Sequence, residues 1–513
     1  MDLKNSVIII YILFMSVHVS RSEQTFPEGF KFGVASSAYQ VEGGWNEGGK
    51  GESIWDRLTH GKPKKIKDRS NGDISCDSYH KVFEDVQLLK DMDVDFYKFS
   101  ISWPRILPNG YTDVISTDGI RYYNDLIDEL IANGIKPVAT MFHWDLPQLL
   151  QEKGGWMNEK VIVAYEDYAN LLFSIYGNRV RDWITFEDPA MFCFDPYFQQ
   201  PSFADGLKEE GNVGYLCAHA ILKAHARVYR LYHFNYRERQ HGRIGISLGS
   251  SWYEPGLRGD SDDDLSELAM EIELGWFAHP IFSRVGDYPK SASEQLQLFS
   301  RQIQMTTFKV PEFESADIEL LRGSADFFGL SHFTTKLCDV SLPKTSSEGT
   351  PLFAIDFCSQ KQSWENGTSS WLKVVPWGIR KVLNWIKKEY DNPEVFITAN
   401  GFSDDGEEND CRRVHYMNSY LENVLVAIQA DGSHISAYTV WSFMDNFQWY
   451  QGYTEKFGLY SVDFDSIDRS RVAKLSSLAY TNIIKLRTID WDFNPEGFKS
   501  CKWGLSNGTV LLD

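Results

Sequence analysis

The chain has 513 residues and carries 51 Lys and Arg against 71 Asp and Glu, a formal net charge of −20. That field repels a phosphate backbone, which excludes nucleic acid as a partner. A content of 43% hydrophobic and 14% aromatic residues excludes a disordered or fibrous chain, and 16 Trp with 25 Tyr supply the material for an aromatic-lined pocket.

Lys4, the apolar run from Val7 to Val19 and the small-residue end Ser20-Arg21-Ser22 form the pattern of a secretory signal peptide, with cleavage expected after Ser22. The run falls short of the roughly 20 apolar residues that a spanning helix needs. The C-terminal segment 491–513 ends in a polar stretch without a lipid-anchor tail, so the expectation is a secreted, extracellular protein with no membrane anchor. Seven Cys entering an oxidising compartment predict one or more disulfides and at least one leftover thiol, in a pairing that the sequence leaves open. Asn366-Gly367-Thr368 and Asn507-Gly508-Thr509 are glycosylation sequons, placing Asn366 and Asn507 on surface loops. No Cys-x-x-Cys or His-Cys cluster has metal-ligand spacing, so no metal and no cofactor is expected. The acidic run Asp260 to Asp264 reads as a solvated loop, lacking the spacing of a calcium loop.

From Phe30 onward, short β-branched or aromatic runs alternate with longer helical patterns, as in repeated β-α units. Eight strands are expected, at roughly 30–40, 96–103, 135–144, 180–188, 243–250, 326–335, 394–401 and 435–445. Between the second and third, Ile120, Tyr123, Leu126, Ile127 and Leu130 recur at helical spacing, and Gly134 stops that helix. Eight such units close most naturally into a single (β/α)8 barrel, a TIM barrel over residues 23–490, with its site at the C-terminal ends of the strands. A doubly wound open sheet is the alternative, but no Gly-x-Gly-x-x-Gly opens the first unit. His219, His225 and His279 lie in helical contexts and read as structural histidines.

Several longer motifs run through the same region: Phe26-Pro27-Glu28-Gly29-Phe30, Ser37-Ala38-Tyr39-Gln40-Val41-Glu42-Gly43, Phe99-Ser100-Ile101-Ser102-Trp103, His143-Trp144-Asp145-Leu146-Pro147, Gly275-Trp276-Phe277-Ala278-His279-Pro280 and Trp441-Ser442-Phe443-Met444-Asp445-Asn446-Phe447. Together with Trp183-Ile184-Thr185-Phe186-Glu187-Asp188-Pro189 and Phe396-Ile397-Thr398-Ala399-Asn400-Gly401-Phe402, they make the chain resemble glycoside hydrolase family 1, the β-glucosidase, lactase-like and klotho-like group. The resemblance implies a retaining two-carboxylate mechanism, in which one carboxylate attacks the anomeric carbon and a second, about 5 to 5.5 Å away, protonates the leaving oxygen.

The two positions that carry this chemistry are substituted. Ala399 stands at the family's nucleophile position and has no atom able to attack. Asp188 stands at the acid/base position, one methylene short of Glu, and Glu187 replaces the family's Asn. Lys98 stands for an Arg and Phe333 for a Tyr that would hold the nucleophile; without a carboxylate at 399, a buried Tyr hydroxyl there would lose its partner at a cost of about 1 to 3 kcal/mol. Lys98 either pairs with Glu187 across the barrel mouth or reaches water, and the sequence does not decide between them.

By the same resemblance, Gln40, His143, Trp441 and Trp449 match residues that hold a sugar, while Gln448 replaces a charged Glu and Ser331 an Asn. The expectation is a silenced β-glucosidase-like protein whose mouth binds a small glycoside, aromatic or terpenoid ligand. Two alternatives stay open: an enzyme of changed reaction using Asp188 and Glu187 as acid and base, and a protein-binding, co-receptor-like member. Adjacent carboxylates on a regular strand point to opposite faces, so the first alternative needs a bulge.

Overall fold

The structure, a computed structural model, describes residues 25–194, 213–302, 310–341 and 354–501. The signal-peptide run and Asn507 lie outside the described residues.

Eight parallel strands close into a barrel: β1 (Lys31–Ala35), β2 (Phe96–Ser100), β3 (Lys136–Phe142), β4 (Asp182–Glu187), β5 (Arg243–Gly249), β6 (Phe327–Ser331), β7 (Val395–Asn400) and β8 (Ile435–Trp441). Each pairs with its sequence neighbours, and β1 pairs with β8 to close the ring. Each strand falls within its expected window but is shorter, because the last residues of each window turn out into loops at the C-terminal face. The helix after β2 spans Thr117–Ala132, and the Ser116 hydroxyl accepts from Gly119 N at 2.9 Å at its start. It ends where Gly134 adopts φ 76°, a left-handed turn that Gly enters without a Cβ penalty.

Inside the barrel, Phe96, Val138, Ile184, Phe327, Phe396 and Ala437 form one apolar layer. The large rings need room, and Gly33 and Gly245 supply it: a Cβ would lie 2.3 Å from the Phe96 ring at one and 2.3 Å from the Phe327 ring at the other. Such large-against-small filling makes the barrel interior a packed core with no pore. Two residues further along four of these strands, on the same face by strand alternation, sit Lys98, Thr140, Thr398 and Thr439, all buried. A polar layer therefore lies directly above the apolar one, toward the mouth.

Disulfides join Cys193 to Cys217, Cys338 to Cys358 and Cys411 to Cys501. The last ties the C-terminal segment to the start of the helix Cys411–Gln429. Cys76 is the free thiol among the described residues; burial pushes it up to about 12, which leaves it unreactive.

The Asp260–Asp264 run is a correction. It opens the helix Asp260–Met270, and Asp262 is buried, accepting from the backbone of Arg258 at 2.8 Å and Val340 at 3.1 Å. Acidic residues suit the positive end of a helix, so the run serves local structure where a solvated loop was expected. His225 meets the Thr185 hydroxyl at 2.7 Å and His219 meets Tyr288 at 3.0 Å, and burial lowers their pKa values to about 3 and about 4. Both act as packed structural groups.

Candidate functional site

Glu187 enters the barrel interior because β4 is bulged. Its register to β5 runs Ile184 opposite Gly245, then Glu187 opposite Ser247, so β4 advances three residues while β5 advances two. The extra residue returns the chain to the face that Ile184 occupies, while Thr185 faces outward to His225. Glu187 Oε2 lies 2.7 Å from Lys98 Nζ, with the two side chains 4% and 1% exposed. Of the two arrangements open to Lys98, the ion pair forms.

The pair belongs to a line of polar groups crossing the barrel. Ser247 Oγ donates to Glu187 Oε1 at 3.1 Å and lies 2.6 Å from Thr398 Oγ1. Four strands, β2, β4, β5 and β7, are thus connected through side chains below the mouth. Ser247 and Thr398 escaped the sequence reading; their signal is the inward parity of their strands, which becomes visible once the barrel's apolar layer is known.

β7 bulges in turn, with Ile397 opposite Leu330 and Ala399 opposite Ser331. Ala399 is buried, its carbonyl accepts from His332 N at 3.0 Å, and Ser331 stands beside it. Asn400 is fully engaged: its Nδ2 donates to His332 O at 2.6 Å and to Tyr416 at 2.9 Å, and its Oδ1 accepts from Tyr438 at 2.6 Å. The backbone around position 399 is held on both sides by these bonds, and the side chain there is a methyl group.

Asp188 takes a different course from its neighbour. It has φ 36° and caps the short helix Pro189–Cys193, its Oδ1 accepting from Met191 N at 3.3 Å. The carboxyl lies against Gly249, where an added Cβ would fall 2.1 Å from Asp188 Oδ2. The residue is half-buried; burial first, then the charges of Glu273 and Glu187, raise the carboxyl to about 7. Glu187 and Asp188 therefore face different partners.

The aromatic wall gathers His143, Trp441 and Trp449. The His143 ring centroid is 5.7 Å from each indole. Burial and the positive charge of Lys98 hold His143 well below its ordinary pKa, so it is a neutral imidazole. Trp144, which the sequence reading left inside a motif without a role, packs at a tilt with its ring 4.7 Å from that of Trp449 and donates from Nε1 to Glu187 O at 2.8 Å. Both Trp144 and Trp449 have positive φ, 70° and 51°, in a region costly for bulky residues.

Gln40 is fully buried. Its Oε1 accepts from Ser37 at 2.7 Å, and its Nε2 donates to Phe447 O at 2.8 Å, Asn446 at 3.0 Å and Gln448 at 3.4 Å. Gln448 in turn donates to Asn446 at 2.8 Å, so these two amides hold each other. Phe333 packs edge-on against Trp371 at 5.7 Å and Phe457 at 6.4 Å. Trp371, 45% exposed, is a rim aromatic that no motif flagged. Asn366 is exposed, with its side-chain oxygen contacting Lys373. Among the described residues no group of three or more His, Cys, Asp or Glu can hold a metal ion, and no helix is long and apolar enough to cross a membrane.

The profile of glycosyl hydrolase family 1 matches residues 22–489. The chain belongs to that family. It is 42% identical over 465 residues to myrosinase 1 of Brevicoryne brassicae, covering 90% of this chain and 98% of that protein. It is 40% identical over 476 residues to the lactase-like protein of Mus musculus, covering 90% and 82%. The solved structure of an aphid myrosinase superposes with a TM-score of 0.83 at 40% identity, covering 90% of this chain and 99% of that one. This family 1 member thus has the barrel and the β-glucosidase and lactase-like kinship that its motifs implied.

Proposed function

We propose that this family 1 protein is a secreted β-glucosidase-like binder that holds a small glycoside, aromatic or terpenoid ligand in the barrel mouth and does not hydrolyse it. The observation that carries the reading is the Lys98–Glu187 pair taken with Ala399: the cation that would face a nucleophile is committed to a different carboxylate, and position 399 offers none. Nucleophilic catalysis has no group to perform it. Asp188 is turned onto a helix end, and displacement of a reacting group by about 1 Å costs on the order of 10²-fold. The aromatic wall, in contrast, is assembled and can bury a ring.

Secretion and glycosylation at Asn366 and Asn507 belong to the same reading; three disulfides and the exposure of Asn366 support them. The deciding experiment pairs an aryl β-glucoside assay with native mass spectrometry of protein purified from its source. Absence of turnover with a retained small molecule is expected, and turnover within about tenfold of an ordinary β-glucosidase overturns the reading.

One observation favours a second reading, an enzyme of changed reaction. Asp188, raised to about 7, carries a proton near neutrality and is suited to act as a general acid. A broad product screen comparing the protein with Asp188→Asn separates the two.

A further inference from the structure

The chain is acidic overall, yet five of its 51 Lys and Arg stand within positions 62–69: Lys62, Lys64, Lys65, Lys67 and Arg69. All five residues are exposed, and Lys64, Lys65, Lys67 and Arg69 form no ion pair among the described residues. The one acid in the stretch, Asp68, turns its carboxylate onto backbone: Oδ1 accepts from Ser70 N at 3.0 Å and Oδ2 from Tyr453 N at 2.7 Å. The loop itself is fixed. Lys65 N, Ile66 N and Arg69 N each donate to the carbonyl three residues back, at 2.9, 3.0 and 3.0 Å, and Lys67 N donates to Tyr450 O at 2.8 Å. Ile66, 1% exposed, anchors the stretch in the core. A loop held in this way presents its charges without the ordering cost that a floppy tail incurs on binding.

We infer that this loop is a docking site for a sulfated polysaccharide. A Lys- and Arg-rich stretch of this length sets several cations against closely spaced sulfates, each contact being a charge-assisted bond that also releases a condensed counterion. The inference rests on the secretory part of the proposed function, because such polysaccharides lie outside the cell.

The net charge of −20 does not cancel the site, since at physiological salt the field of an exposed charge fades over about 8 Å and the loop acts locally. It does narrow the partner. A duplex nucleic acid carries charge on two strands and sets the second against the acidic remainder of the chain, whereas a single polysaccharide chain follows the loop alone. Single-stranded nucleic acid is held by bases stacking on aromatic rings, and residues 61–70 contain no aromatic residue. Membranes draw polybasic segments through anionic lipids of the cytoplasmic leaflet, which a secreted chain does not meet.

The test is binding of the full chain to immobilised heparin at pH 7.5, with NaCl varied from about 50 to 200 mM. Heparin should retain the chain at the low end of that range. The Lys64→Ser/Lys65→Ser/Lys67→Ser triple should lower affinity about tenfold or more and reduce the slope of log affinity against log salt by roughly 2. A control triple at other exposed lysines, Lys90→Ser/Lys160→Ser/Lys290→Ser, changes the net charge equally and should bind as the unmodified chain does. No retention on heparin, or equal losses in the two triples, overturns the inference. Equal retention on desulfated heparin, equal competition by an oligothymidylate, or capture by phosphatidylserine vesicles that the loop triple abolishes overturns the sulfated polysaccharide as the partner. Neither triple touches the barrel mouth, so the ligand reading stands or falls separately, and the mass of the mature chain tests secretion on its own.

Discussion

Lys98 and Glu187 meet at 2.7 Å inside the barrel, on strands β2 and β4, with almost no surface exposed on either side chain. Removing one member of such a pair strands the other charge. Lys98→Met or Glu187→Gln alone should destabilise the protein by about 3 to 5 kcal/mol. The double substitution should cost clearly less than the sum. Urea unfolding of the three variants checks this, and additive losses would show that the two charges are independent.

Ala399→Glu alone should not restore hydrolysis of aryl β-glucosides. A new carboxylate at 399 would find Lys98 already paired, Phe333 without a hydroxyl, and Asp188 capping a helix. The measurement is the steady-state rate against the unmodified chain. A full rescue by this single change would mean that the surrounding pocket is still set for catalysis.

Asp145 is buried, and burial raises it to about 8. With Asp188 at about 7, the folded state holds two protons more tightly than the unfolded chain does. The stability linked to each proton is fully present below the ordinary aspartate value near 4 and is lost as pH rises through the folded value. Measured against Asp145→Asn, the unmodified protein should therefore lose stability between about pH 4 and 8 and then level off. A difference curve that rises with pH over that window contradicts the placement of Asp145.

Gly249 gives Asp188 its room. A Cβ there would overlap the Asp188 carboxyl at 2.1 Å, so Gly249→Ala should displace that side chain from the helix end it caps. Loss of a cap costs about 0.5 to 2 kcal/mol. In Asp188→Asn, whose amide keeps one acceptor oxygen for Met191 N, the effect of Gly249→Ala should persist, because the clash is steric. Thermal unfolding of the single and double variants reads it.

Ligand preference follows from which contacts the mouth can offer. Gln40 and Gln448 spend their amides on Phe447, Asn446 and each other, whereas His143, Trp441 and Trp449 present ring faces. Apolar area buried at roughly 25 cal/mol per Å² then outweighs oriented hydroxyl contacts. Aromatic or terpenoid compounds should compete better than glucose; Trp441→Ala should weaken their binding, while Gln448→Ala should cost little. Tight glucose binding destroyed by Gln448→Ala would reverse this ordering.

The sequence by itself determined the barrel and the family, and it supplied the residues Ala399, Asp188, Glu187, Lys98 and Phe333 on which the proposed function rests. Strand and helix periodicities are local, and a motif at a strand end keeps its place in a barrel whatever the side chains then do. The helix after β2 and its Gly134 stop were legible for the same reason. The polarity of the interior was not. Whether Glu187 faces the barrel or the helices depends on one bulged residue in β4, and a single added residue reverses the facing of those beyond it. The pairing of Lys98 with Glu187 and the line through Ser247 to Thr398 join residues far apart in the chain. Only the closed sheet brings those groups within reach of one another.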